Sequence, residues 1–123
     1  MAGTALVVEH DEQLAHILRF ILEREGFEVC LVRDGRSAEE TIALSPPPAI
    51  ATLALMLPHT DGYELLRRIR GTPGWQAVPI IVLTARTQDR DVARTLAAGA
   101  NEYIAKPFDP DELRACVRRL VKT

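Results

Sequence analysis

The chain alternates five short apolar runs with five segments whose apolar residues recur at helical spacing. The runs are rich in aliphatic and β-branched residues, which suits strands buried on both faces of a sheet. Such alternation predicts an α/β fold in which a parallel sheet carries helices on both faces. The strands are predicted, in chain order, at Ala5–Val8, Phe27–Val32, Ile50–Leu57, Pro79–Thr84 and Glu102–Ala105.

A predicted helix follows each strand. Stop signals are clear at Gly26 and Gly99, and a run of three prolines ends the second helix. Thr60 and Asp61 are candidate caps for the third helix, and Asp109 with the following proline is a strong start for the fifth. The predicted helices are Leu14–Leu22, Ser37–Leu44, Asp61–Arg70, Asp89–Ala98 and Asp109–Val121.

Composition excludes several classes of function. A length of 123 residues fits one domain, and a formal net charge of −2 gives no general attraction to nucleic acid or to anionic membranes. No apolar run approaches the roughly 20 residues that span a bilayer, and no signal peptide is visible. The two cysteines, Cys30 and Cys116, lack metal-site spacing, so we expect free thiols in a cytoplasmic protein.

The carboxyl ends of the strands are where parallel α/β sheets place their sites. Four motifs stand near these ends, and together they resemble the signatures of bacterial response-regulator receiver domains of the chemotaxis-Y-like kind. They are V-V-E-H-D-E at Val7–Glu12, L-M-L-P-H-T-D-G-Y-E-L-L at Leu55–Leu66, V-L-T-A at Val82–Ala85 and G-A-N-E-Y-I-A-K-P-F at Gly99–Phe108.

The resemblance covers the whole chain, so it implies a receiver domain over residues 1–123 of a two-component phosphorelay. It also implies a flavodoxin-like (βα)5 doubly wound fold, with a five-stranded parallel sheet in the order 2-1-3-4-5. Receivers of this family accept a phosphoryl group from a histidine kinase onto an aspartate. Two acids after the first strand and the phosphoacceptor hold Mg²⁺, while a threonine or serine and a lysine bind the phosphoryl oxygens.

This chain keeps only part of that pattern. The phosphoacceptor position falls on Ala54, four residues before Pro58, and the two acidic positions fall on Glu9 and His10. Thr84 and Lys106 are retained. We therefore predict a degenerate phosphorylation pocket with no catalytic residue, no enzyme activity, no cofactor and no bound metal, because Mg²⁺ prefers carboxylate and other oxygen ligands.

Further roles are implied by the resemblance alone. Thr84 and Tyr103 take the switch positions, and Lys106–Pro107 is expected to be a cis peptide. The family's output face would bind a protein partner, either a histidine kinase, an output domain or a second copy, and this domain would contact no nucleic acid. In this chain that face is predicted to carry Arg90, Arg94, Tyr103, Arg114 and Arg118 beside apolar Ala97 and Val117.

Four interpretations are open from the sequence. The first is a receiver that is not phosphorylated and works by protein contact; the second is a conventional receiver with an engineered Asp-to-Ala change at position 54, which His10 argues against. The third is a metal- or ligand-sensing pseudo-receiver using Glu9 and His10, with His59 assisting. The fourth, a flavodoxin-like enzyme, lacks a flavin-phosphate loop or a nucleophile–base pair.

In the degenerate pocket, Lys106 is expected to form a solvated pair with Glu9 or Asp11.

Overall fold

A computed structural model of the chain describes residues 3–85 and 89–121, and it describes the side chains of all of these except residues 89 and 90. The strands are β1 (Gly3–Val8), β2 (Phe27–Val32), β3 (Ile50–Ala54), β4 (Met56–Leu57), β5 (Thr60–Asp61), β6 (Ile80–Thr84) and β7 (Glu102–Ala105). The helices are α1 (Glu12–Arg24), α2 (Gly35–Leu44), α3 (Gly62–Gly71), α4 (Asp89–Ala97) and α5 (Pro110–Leu120).

The main sheet has the strand order β2-β1-β3-β6-β7. All four pairings between its neighbouring strands are parallel. When the two-residue strands β4 and β5 are left out, this order is 2-1-3-4-5. The predicted doubly wound fold is therefore confirmed.

The third predicted strand differs from the structure at its carboxyl end. The strand β3 ends at Ala54, and β4 and β5 then form a short antiparallel hairpin instead of a continuation to Leu57. His59 turns this hairpin with a φ of 59°. Gly62 begins α3 so close to the chain before the hairpin that a Cβ there would lie 2.5 Å from the Leu55 Cα. The Gly62 N–H also donates to the Leu55 carbonyl at 2.9 Å, so the chain folds back on itself directly after β3.

Of the two caps predicted for α3, one is confirmed and the other is corrected. Thr60 belongs to β5, and the N-cap of α3 is Asp61, whose carboxylate accepts the Tyr63 N–H at 2.9 Å. The cap predicted for α5 is confirmed, because the Asp109 carboxylate accepts the Asp111 N–H at 2.9 Å.

Two hydrophobic cores cover the two faces of the sheet, as the period of two in a strand requires. On one face Leu6 and Leu53 pack with apolar residues of α2 and α3. On the other face Val7 and Ile81 pack with apolar residues of α1 and α5. Because helices cover both faces of the sheet, polar side chains near the middle of the fold can gather only at the ends of the strands.

Candidate functional site

The predicted pocket residues lie at one edge of the sheet. Glu9 directly follows β1, Ala54 ends β3, Thr84 ends β6 and Lys106 directly follows β7. These strands are neighbours and parallel, so their carboxyl ends lie side by side. Glu9, Ala54 and Thr84 are each at most 3% exposed, so the floor of the pocket is closed to solvent.

Glu9 and Lys106 form an ion pair across this edge. The Lys106 Nζ lies 2.9 Å from the Glu9 Oε1, and the Asp11 N–H donates to the Glu9 Oε2 at 3.1 Å. Only 4% of the Glu9 side chain is exposed, compared with 25% of the Lys106 side chain. The expectation of a solvated pair is therefore wrong for its acidic partner, since the fold buries the carboxylate beneath the chain that follows β1.

The two residues after Glu9 are also held by local contacts. The His10 carbonyl accepts hydrogen bonds from the Arg33 Nε and Nη2 at 3.0 and 2.8 Å, and its side chain is exposed. The Asp11 carboxylate caps α1 by accepting the Leu14 N–H at 3.0 Å. The link between β1 and α1 is thus held by hydrogen bonds within the protein, and the Glu9 and Asp11 carboxylates both accept such bonds.

This donor set does not fit Mg²⁺. Ala54 contributes a methyl group, and both Glu9 oxygens already accept hydrogen bonds within the protein. Across residues 3–85 and 89–121, no cluster of three or more His, Cys, Asp or Glu side chains is arranged to hold a metal ion. At Glu9, a hard cation that favours carboxylates would compete with the Lys106 ammonium for the same carboxylate.

The remaining pocket positions are ordered by the sheet. The Thr84 carbonyl accepts the Lys106 N–H at 3.0 Å, which ties the ends of β6 and β7 together. Tyr103 lies opposite Val82 in the sheet, and its side chain is half-buried with the hydroxyl oxygen out of contact with solvent. The Lys106–Pro107 peptide bond is cis.

Four of the five residues predicted for the interaction face have described side chains, and these make separate contacts. Arg118 donates two hydrogen bonds, at 2.7 and 3.0 Å, to the Glu25 carboxylate beside the end of α1. Arg114 pairs with Asp111 on the same flank of α5. The Arg94 guanidinium stacks 3.8 Å from the centre of the Tyr63 ring of α3. The side chain of Arg90 lies outside the described residues.

The helical period of α5 determines which of its residues face the core. Leu113, Cys116 and Val117 are each at most 3% exposed, so Val117 belongs to the core and not to the interaction face. With these residues inward, positions 114 and 118 fall on one flank and position 119 falls on the other. Arg119 pairs there with Glu102 at the start of β7. The period alone could have identified Arg119, but its pairing with Glu102 depends on the sheet.

Two pKa shifts accompany these contacts. The hydrogen bond from Arg118 holds the pKa of the Glu25 carboxyl below its usual range. Burial, reinforced by the nearby Glu102 carboxylate, raises the pKa of the Cys116 thiol to about 11. Neither group belongs to the pocket, so both shifts concern the packing of α5 against the rest of the fold.

A family comparison agrees with this fold and edge geometry. The family model described as "Response regulator receiver domain" matches residues 5–118. The chain belongs to this family, and it is a receiver domain of the two-component response-regulator kind. In the part of the chain that the structure describes, none of the helices has the length and apolar character needed to cross a membrane.

Individual relatives give the same class. The chain is 42% identical over 116 residues to the phosphate regulon transcriptional regulatory protein PhoB of Rhizobium meliloti, covering 94% of this chain and 51% of that protein. It is 42% identical over 118 residues to the DNA-binding response regulator MtrA of Mycobacterium tuberculosis, covering 96% and 50%. It also matches the crystal structure of the receiver domain of a signal transduction histidine kinase from Syntrophus aciditrophicus. That match has a TM-score of 0.86 and 36% identity, over 97% of this chain and 89% of that one. The chain thus spans about half the length of these two curated relatives.

Proposed function

We propose that this receiver domain signals without phosphorylation of an aspartate and acts through contact with a protein partner. The observation that carries the proposal is Ala54, which is 2% exposed at the carboxyl end of β3. The family resemblance assigns the phosphoacceptor to this position. A methyl group has no oxygen that could attack a phosphoryl donor, so the family's transfer reaction has no acceptor there.

The ion pair in the pocket supports the same proposal. In phosphoryl transfer, cations converge on a strongly anionic group. Here the Lys106 ammonium is committed to Glu9, one of the residues that would otherwise bind Mg²⁺. We infer that Mg²⁺ binding is lost and that the pair serves to neutralise a buried carboxylate.

For the partner, we propose a contact face formed by α4, β7 and α5. Leu96 on α4 is 45% exposed, and the Glu102–Arg119 pair joins β7 to α5. All three residues lie near the end of the sheet where β7 begins, because α4 and α5 run antiparallel to the strands. An exposed leucine beside an arginine–carboxylate pair suits a protein partner: a histidine kinase, an output domain or a second copy of this chain.

In a longer protein, DNA contact would belong to another domain. The similar PhoB and MtrA proteins are described as a transcriptional regulator and a DNA-binding regulator, and each is about twice as long as the matched region. A formal net charge of −2 gives this domain no electrostatic footprint for DNA. We also propose a reducing, cytoplasmic setting, because Cys30 and Cys116 are both free and pack in cores on opposite faces of the sheet.

The pocket is tested by amide NMR spectra recorded with Mg²⁺, and then with Mg²⁺ and beryllofluoride. We expect no specific shifts in the wild-type domain. The matched control is the double variant Ala54→Asp/His10→Asp, which restores two carboxylates and should gain shifts at Thr84 and Lys106. Saturable shifts of the wild-type pocket would contradict the proposal.

The contact face is tested by comparing signalling output in the source cell for two variants that retain native circular dichroism. Leu96→Glu combined with Arg119→Glu should impair signalling, because it places two acids on the face and breaks the pair with Glu102. Thr84→Ala should leave signalling close to wild type. If Thr84→Ala silences the protein and the double variant does not, the pocket and not the face controls the output.

A further inference from the structure

A cleft of about 720 Å³ opens beside the degenerate pocket. Its walls are the link between β1 and α1, the start of α2 and the turn between β4 and β5. The basic residues that line it are His10, Arg33, Arg36 and His59. His10 belongs both to the predicted pocket and to this cleft, whereas Glu9, Ala54 and Lys106 do not line the cleft, so the two sites are adjacent.

The two acidic residues of the cleft have partners of their own. The Asp34 carboxylate caps α2 by accepting the Ser37 N–H at 2.7 Å. The Glu39 Oε1 lies 3.8 Å from the Arg68 Nε of α3. A helix N-terminus and an arginine outside the cleft therefore offset these two negative charges.

The basic residues are not offset in the same way. Arg33 donates to the His10 carbonyl, which is a neutral group, and within residues 3–85 and 89–121 no carboxylate lies within ion-pair distance of it. Arg36 is 91% exposed and its ion pair with Glu40 is long, at 3.8 Å. The His10 and His59 side chains are exposed. Arg33 thus contributes a positive charge without a carboxylate partner among the described residues, and the charge of Arg36 is offset by Glu40 and Asp34 only through exposed, weak interactions.

The walls of the cleft are held in place by direct contacts. The two hydrogen bonds from Arg33 to the His10 carbonyl join the chain after β2 to the chain after β1. On the opposite side, Gly35 is packed so tightly against β5 that a Cβ there would lie 2.1 Å from the Thr60 Oγ1. The cleft is therefore formed before any ligand arrives, which reduces the entropy lost on binding.

We propose that this cleft binds a small, multiply charged anion of the phosphate type. Arginine guanidinium groups present planar sets of N–H donors that match phosphate oxygens, and imidazole and hydroxyl groups add further hydrogen bonds. Arg36 and His59 are the central ligands, and Thr60 supplies the hydroxyl. Anion binding here does not depend on the loss of phosphorylation at Ala54, since Arg36, His59 and Thr60 lie outside the predicted phosphorylation pocket.

The test is an amide NMR titration of the wild-type domain with inorganic phosphate and, in a parallel arm, with sulfate, at constant ionic strength set by chloride. We expect saturable shifts of His59, Thr60 and Arg36 with both anions. Arg36→Ala and His59→Asn should each weaken binding about tenfold, the ratio that corresponds to one charge-assisted hydrogen bond. Asparagine is chosen because it tolerates the positive φ of His59.

Two further variants serve as controls. Arg24→Ala removes an exposed arginine from the last turn of α1, at the opposite edge of the sheet, and should not change the affinity. Lys106→Ala should also leave it unchanged. Shifts no larger than those caused by chloride, or an affinity that Arg36→Ala and His59→Asn leave intact, would overturn the proposal. Loss of binding in Lys106→Ala alone would place the anion in the degenerate pocket and overturn it as well.

Discussion

Replacing Lys106 with methionine tests the energetic role of the ion pair with Glu9. Methionine keeps an unbranched stem of similar length and removes the ammonium, which leaves a carboxylate that is 4% exposed with one hydrogen bond, from the Asp11 N–H. Exposed pairs contribute about 0–1 kcal/mol, whereas breaking a buried pair costs about 3–5 kcal/mol. Because Lys106 is 25% exposed, we expect an intermediate loss of about 2 kcal/mol in the free energy of unfolding.

The assay is equilibrium unfolding in urea, followed by the fluorescence of Trp75 and by circular dichroism. Trp75 is the one tryptophan of the chain and is 2% exposed, so its emission reports on loss of the core. At an m-value of about 2 kcal/mol/M, a loss of this size lowers the urea midpoint by about 1 M.

The double variant Glu9→Gln/Lys106→Met separates an unpaired charge from lost packing. Glutamine can still accept the Asp11 N–H and carries no charge, so the double variant should lose less stability than Lys106→Met alone. A free energy of unfolding for Lys106→Met within about 0.5 kcal/mol of the wild-type value would refute the stabilising role of the ion pair. It is also refuted if the double variant is at least as unstable as the single one.

Three other predictions concern residues outside the pocket. Gly62→Ala should cost several kcal/mol because its Cβ would strike backbone, whereas Gly71→Ala, with open space around its Cβ, should stabilise α3 by roughly 0.5–1 kcal/mol in the same urea assay. Arg118 lowers the pKa of Glu25, so their ion pair stabilises the fold at pH values above the unfolded-state pKa of Glu25. This stabilisation is lost as the pH falls through the folded-state pKa. The difference in free energy of unfolding between wild type and Arg118→Ala should therefore shrink below about pH 4 in acid titrations of unfolding. Cys116, with its pKa raised to about 11, should resist alkylation at pH 8 until urea unfolds the chain, as peptide mass mapping would show; rapid native labelling would contradict its burial.

Much of the fold follows from the spacing of apolar residues and from the residues that begin and end helices. Strand Glu102–Ala105 and the cap at Asp109 agree with the sequence prediction, because a short run with Tyr103 and Ile104 and an Asp-Pro start are local signals. The end of β3 was not predictable in this way. The run to Leu57 is apolar except for Thr52, and the hairpin brings Gly62 against Leu55, a contact that the local pattern does not indicate.

The site shows the same division between local and tertiary information. The positions of Glu9, Ala54 and Lys106 at one edge follow from the strand order, which the sequence pattern and the resemblance predict. The burial of Glu9 does not, since it depends on how the chain after β1 folds over the carboxylate. The placement of Arg118 beside α1 likewise requires the helical phase of α5 and its contact with Glu25.

The most direct test of the central claim is intact-mass spectrometry after incubation with acetyl phosphate and Mg²⁺. The wild-type domain is predicted to gain no phosphoryl group, because Ala54 offers no acceptor oxygen. Ala54→Asp/His10→Asp, treated identically, is predicted to gain one that hydroxylamine removes. A hydroxylamine-sensitive phosphoryl adduct on the wild-type domain would contradict the account.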